Sequence, residues 1–175
     1  KIGYSQNLME IMISINYSVT CMSAFFGIID KSNSNALTFD ITSQLIMYYE
    51  DFLVIDNSKN KLKEFENFMK KDNIRLLDFF ISKNINLDHI TSKWFLTLYL
   101  RLSRISDITR MLFILQAFKN QTEIIFHIAV GLLLQIKERL EIDTNLNIYE
   151  YVDSIETIIN MEKALLYGMK VINNI

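Results

Sequence analysis

The feature that most constrains this chain is what it lacks: its 175 residues contain no proline and only four glycines. Average usage would supply about nine prolines and about twelve glycines over that length. Proline removes a backbone donor and clashes with the preceding turn, and glycine weakens a helix interior. A chain with so few of either can run helix after helix. Apolar residues recur at three- and four-residue spacing from end to end, and no alternating pair of stretches is joined by a two-residue turn. The expected fold class is all-α: an irregular multi-helix single domain over residues 1–175, with short loops and no linker. No repeat of about 30 to 50 residues is visible, which argues against a solenoid.

The same spacing predicts where the helices lie. A first is expected from Ser5 to Tyr17, with Leu8, Met12 and Ile15 on one side and Met9 and Ile13 beside them. A second should cover Ser18 to Asp30, with Met22, Phe25, Phe26 and Ile29 as a thick apolar face, and the two should form a hairpin. "KSNSN" reads as a turn, because short polar side chains compete for backbone hydrogen bonds. Asp40 is then a candidate N-cap for a helix placing Ile41, Leu45, Tyr48, Tyr49 and Phe52 on one face. Further helices are expected in "SKNKLKEFENFMKK", whose lysines read as a solvated face, and in "NIRLLDFFISKN". Asp88 should cap "HITSKWFLTLYLRL", Ser106 or Asp107 should open "ITRMLFILQAF", and Thr122 should open "EIIFHIAVGLLLQIKERLEI". That last run is apolar nearly all round, which suggests a central buried helix. The tail holds one or two more.

Composition narrows the function classes. A formal charge of −2 gives no global electrostatic reason to bind nucleic acid or an anionic membrane. The lone Cys21 cannot form an internal disulfide and reads as a small buried hydrophobe. The longest uninterrupted apolar run, "IAVGLLL", falls well short of the roughly 18 residues of a membrane span. No phosphate-binding glycine loop, dinucleotide fingerprint or His-Glu-x-x-His motif is present. His89 and His127 are far apart and, with one cysteine, form no metal-ligand set; His127, inside an apolar helix, reads as a core residue. Glu50 and Asp51 are adjacent, and adjacent helix residues do not face one reacting atom. Trp94, Tyr99, Phe113 and Phe118 read as core packing. No cofactor or metal of its own is expected.

Three blocks in order carry a resemblance: "IGYSQNLMEIMISI" followed by "AFFGIID", then "HITSKWFLTLYLRLSRISDITRMLFILQAF", then "IIFHIAVGLLLQIKERL". They resemble the TBC domain, the helical GTPase-activating domain that acts on Rab GTPases, over most of the chain up to Ile142. The first block is similar to the family's Gly-Tyr-x-Gln-Gly-Met-Asn stretch, and the second to its Trp-Phe-x-x-Leu-Phe and Arg-x-Trp-Asp elements. The resemblance places the chain in the C-terminal two-thirds of such a domain, with the family's Ile-x-x-Asp-x-x-Arg motif ahead of Lys1.

What the resemblance implies is a pair of catalytic groups lent to a partner's active site. GTP hydrolysis needs an in-line water and stabilisation of charge on the transferring phosphoryl group. By position, Gln6 would be the glutamine finger that holds the water, Tyr4 and Gly3 would shape its loop, and Arg110 would be structural. GTP and Mg would belong to the Rab-type GTPase. Membrane association would be peripheral and through that partner, in the cytoplasm at the cytosolic face of endomembranes, in vesicle trafficking. This sequence departs from the family at Asn7, Leu8 and Met9, and at Leu112 and Phe113, which replace Trp-Asp. The alternative class is a noncatalytic TBC-like adaptor that binds proteins through the same shape.

Overall fold

The computed structural model describes residues 6–26, 31–100, 105–118, 123–143, 147 and 160–173. Among them are eight α-helices and no strand: α1 Gln6–Phe26, α2 Lys31–Leu53, α3 Ile55–Asp72, α4 Ile74–Ser82, α5 Leu87–Leu96, α6 Ile105–Ala117, α7 Glu123–Ile142 and α8 Met161–Asn173. The all-α expectation holds, for the reason anticipated. With no proline to break it, α1 runs for 21 residues, and α2 spans 23 with a kink at Tyr49, where φ is −122° and ψ 23°.

The core is built where phenylalanines from four helices meet. Phe52 of α2, Phe65 of α3, Phe95 of α5 and Phe126 of α7 have ring centroids 5.4 to 5.9 Å apart, several of them edge to face. This is the arrangement aromatic quadrupoles favour, and each ring also removes a large apolar area from water. α7 lies at the centre: every residue from Ile124 to Leu133 is buried, as its uniform apolarity predicted. Around it pack α4, α5 and α8, while α1 pairs with α2 and α6. Two hydroxyls fasten the layers: Tyr49 donates to the Leu115 carbonyl at 2.8 Å and Tyr99 to that of Ile125 at 2.6 Å.

Several local expectations were wrong. Ser5–Tyr17 and Ser18–Asp30 are not a hairpin, since α1 runs unbroken through Tyr17 and Ser18. The hairpin partner is α2, and "KSNSN" is its first turn and a half rather than a loop. Ser34 and the threonines of the following turns do not unwind the helix, because their hydroxyls bond within it or across to α1. Thr38 donates to the Ser34 carbonyl and Thr42 to that of Thr38, while the Ser34 and Ser23 hydroxyls meet at 3.0 Å. Asp40 is accordingly no cap but a mid-helix residue bonded to Gln44.

The apolar face foreseen for α1 holds only in part: Leu8 packs against the core and Ile15 is fully buried, but the rest of the set is not. Ile11, Ile15 and Val19 are the buried stripe, whereas Met9, Met12, Ile13 and Tyr17 are exposed and Phe25 is 85% exposed. Asn86, not Asp88, caps α5, accepting from the His89 N–H at 3.2 Å. That helix stops at Leu96, so Leu98 and Tyr99 do not continue its spacing. Phe113 is 67% exposed rather than in the core. Trp94 and Tyr99 are fully buried as expected, and Cys21 is only partly so. The Thr122 cap lies outside the described residues.

Candidate functional site

Gln6 stands as the first residue of α1, at the end where unpaired backbone N–H groups leave a partial positive charge. Gly3 and Tyr4 lie outside the described residues. What the fold does show is how the start of α1 is held. Leu8 packs against the core, and Ile11 and Ile15 are completely buried one and two turns on. Deeper in, the Ser18 hydroxyl meets that of Thr109 on α6 at 2.6 Å, and the Ser23–Ser34 contact ties α1 to α2. Polar contacts of this kind fix rotation and register where an apolar stripe alone would allow sliding.

α6 carries Arg110 immediately after Thr109. Its side chain does not turn toward α1; it reaches Glu162 of α8 at 3.1 Å, with both partners more than half exposed. An ion pair this open contributes about 1 kcal/mol or less, so Arg110 orients two helices more than it stabilises them. Within the four-residue element it opens, Met111 is fully buried, Leu112 nearly so and Phe113 faces solvent. Leu112 and Phe113 join Val19, Met22, Leu37 and Ile41 around an apolar cleft of about 270 Å³ between α1, α2 and α6.

By length and composition, Leu8–Phe25 of α1 could cross a membrane. Counting uninterrupted apolar runs misses this, because Asn16, Ser18 and Thr20 interrupt the stretch. In the fold the same stretch is a bundle helix, bonded through Ser18 and Ser23 to its neighbours.

Asp51 lies 3.8 Å from Lys61 and Glu50 is exposed, so the pair does not converge. His127 is 5% exposed, its ring edge-on to Phe68 with centroids 5.0 Å apart. Burial pushes its pKa down, opposed by the nearby Glu123 and Asp72 carboxylates. No group of three or more His, Cys, Asp or Glu suited to a metal ion exists among the described residues.

A family model for the Rab-GTPase-TBC domain matches residues 1–141. The chain belongs to the Rab-GTPase-TBC domain family. No curated protein and no solved structure matches it. Membership implies interaction with Rab GTPases in general, as an activator or as a TBC-like adaptor. The matched segment takes in α1 to α6 and all but the last residue of α7, and with them Gly3, Tyr4, Gln6 and Arg110. α8 lies beyond it, and Arg110, inside the matched segment, reaches α8 through its ion pair with Glu162.

Proposed function

We propose that this chain is a GTPase-activating domain for Rab-type small GTPases, corresponding to the later part of a TBC domain, with Gln6 as its glutamine finger. The observation that supports the reading best is the family match spanning Gln6 together with the position of that residue at the start of a well-anchored helix. A carboxamide is suited to positioning water because it carries two donors and an acceptor, does not titrate, and stays neutral beside phosphate. Gly3 and Tyr4 would shape the approach to it, and Arg110 would support the helices behind it. GTP and Mg would come with the partner, which would also bring the domain to the cytosolic face of endomembranes in vesicle traffic.

Charge stabilisation at the phosphoryl group needs a cation as well, and an arginine finger accelerates hydrolysis by about a thousandfold or more. No Ile-x-x-Asp-x-x-Arg motif occurs within residues 1–175. The adaptor reading is favoured by a specific set of residues: Asn7, Leu8 and Met9 replace Gly-Met-Asn beside Gln6, and Leu112 and Phe113 replace Trp-Asp in α6. The deciding experiment is single-turnover GTP hydrolysis by a panel of Rab proteins, with the longest natural form of this protein and its Gln6→Ala variant. The expected result is stimulation of at least one Rab that Gln6→Ala reduces by about a hundredfold, the usual cost of losing one group that acts in the transition state. Binding without stimulation would establish the adaptor instead.

A further inference from the structure

A second cleft, about 650 Å³, opens where the C-terminal end of α3 meets the start of α7, with Tyr167 of α8 on its rim. It is separate from the apolar cleft beside α1 and shares no lining residue with it. Its volume falls within the range of small-ligand sites.

Three carboxylates border the cleft, Glu64 and Asp72 from α3 and Glu123 from α7, against the single ammonium of Lys71. Glu64 is engaged by Lys61 at 2.8 Å, but neither Asp72 nor Glu123 has a salt-bridge partner among the described residues. The floor holds His127, more than nine-tenths buried, whose imidazole makes no hydrogen bond among the described residues and borders the cleft. Glu10 Oε2 is the one buried side-chain polar atom that makes no hydrogen bond among the described residues, so the His127 ring nitrogens reach the open space of the cleft, where an imidazole nitrogen can accept from a ligand's donor in place of water. Beside it, Phe68 adds an aromatic wall.

An anion is disfavoured by the excess of carboxylates, and the described residues do not supply a metal-ligand set. A plain hydrocarbon would leave the imidazole and carboxylates unsatisfied. The complementary group is a flat cation with several divergent N–H donors, able to lie on an aromatic wall and donate to carboxylates and to an imidazole nitrogen at once. Guanidinium has those properties, and a compact ammonium has only some of them. The end of α3 adds a partial negative charge on the same side. We propose that this cleft binds a guanidinium group, carried either by an arginine side chain of a protein partner or by a free guanidino compound.

Calorimetric titration of the full chain with capped arginine amide, capped lysine amide and capped citrulline amide tests this, citrulline being the neutral near-isostere. Capped arginine should bind saturably, citrulline about tenfold or more weaker, and lysine several-fold weaker, since each lost charge-assisted contact costs about a factor of ten. The double variant Asp72→Asn/Glu123→Gln changes two exposed side chains and should lose about tenfold or more in arginine affinity. Tighter binding of an arginine-centred tripeptide than of capped arginine points to a protein's side chain, and equal binding points to a free compound; either supports the site. Absence of saturable arginine binding, equal affinity for arginine and citrulline, or an unchanged double variant would each overturn it. The citrulline comparison requires no mutation, so it stands even if the variant folds poorly.

Discussion

At Leu98 and Tyr99 the backbone takes positive φ values of 47° and 63°, where side chains cost about 1–2 kcal/mol per residue. The reason is the end of α5. The Tyr99 N–H returns to the Trp94 carbonyl and the Leu98 N–H to that of Phe95, the paired bonds of a Schellman motif, with leucine where glycine is usual. The same motif closes α4 through Asn84 and Ile85. Leu98 and Tyr99 tolerate their conformation because both are fully buried, and the Tyr99 hydroxyl reaches α7. Burial has a different consequence at His127. Its folded-state pKa lies below the ordinary value near 6.5, so as pH falls through that value the unfolded chain takes up a proton that the folded one refuses. Stability contributed by the neutral ring is therefore complete above about pH 6.5 and declines below it, by up to about 1.4 kcal/mol per pH unit, until the folded ring also titrates. Urea unfolding from pH 7.5 downward should show this decline in the parent and a shallower one in His127→Gln; parallel curves would count against it.

At the scale of elements, α7 and α8 are the closest pair. A β-carbon added at Gly131 would stand 2.9 Å from the backbone Cα and O of Ala164, too close for any real contact. The glycine is thus needed for approach, not for a special backbone angle, and it lets the Gln135 side chain exchange two hydrogen bonds with the Asn160 backbone. Alanine at 131 would gain up to about 1 kcal/mol in helix propensity, but overpacking against backbone costs about 1–3 kcal/mol. Gly131→Ala should therefore lower stability by about 1–2 kcal/mol in chemical denaturation, and equal or higher stability would show that the two helices can separate freely. The α1–α2 pair works by another principle. Its contact is lined with serine and threonine whose hydroxyls are satisfied locally, so the helices associate through small side chains while many of α1's larger ones point to solvent.

At the scale of the molecule, α8 belongs to the fold although the family match ends at residue 141. It covers α7 with Met161, Ala164 and Leu165, all buried, and is tied to α6 by Arg110–Glu162 and to α7 by Lys163–Glu138 at 3.0 Å. Burial of a large apolar side chain is worth about 1.5–3 kcal/mol, so a chain ending after Asp143 should lose on the order of 3–5 kcal/mol and unfold at lower denaturant. Retained stability in that truncation would make α8 an appendage instead of a wall of the core.

Much of this was legible beforehand. The absence of proline, the scarcity of glycine and the apolar periodicity determined that the chain is helical, that α7 is central and that Leu45, Tyr49 and Phe52 face inward, because these depend on local backbone cost and on the period of a helix. The order of the "GYSQ", "WFLTLYLRL" and "IIFHIAVGLLLQIKERL" blocks was enough to point to the family. Other features were decided only by tertiary contacts. Whether "KSNSN" is turn or helix depends on whether Ser23 stands across from Ser34, and which of α1's several apolar stripes is buried depends on where α2 and α6 dock. Arg110 meets Glu162 across α6 and α8, and the cleft at His127 joins α3 to α7; local propensity carries no information about such meetings. They exist because side chains distant in sequence are brought together by packing.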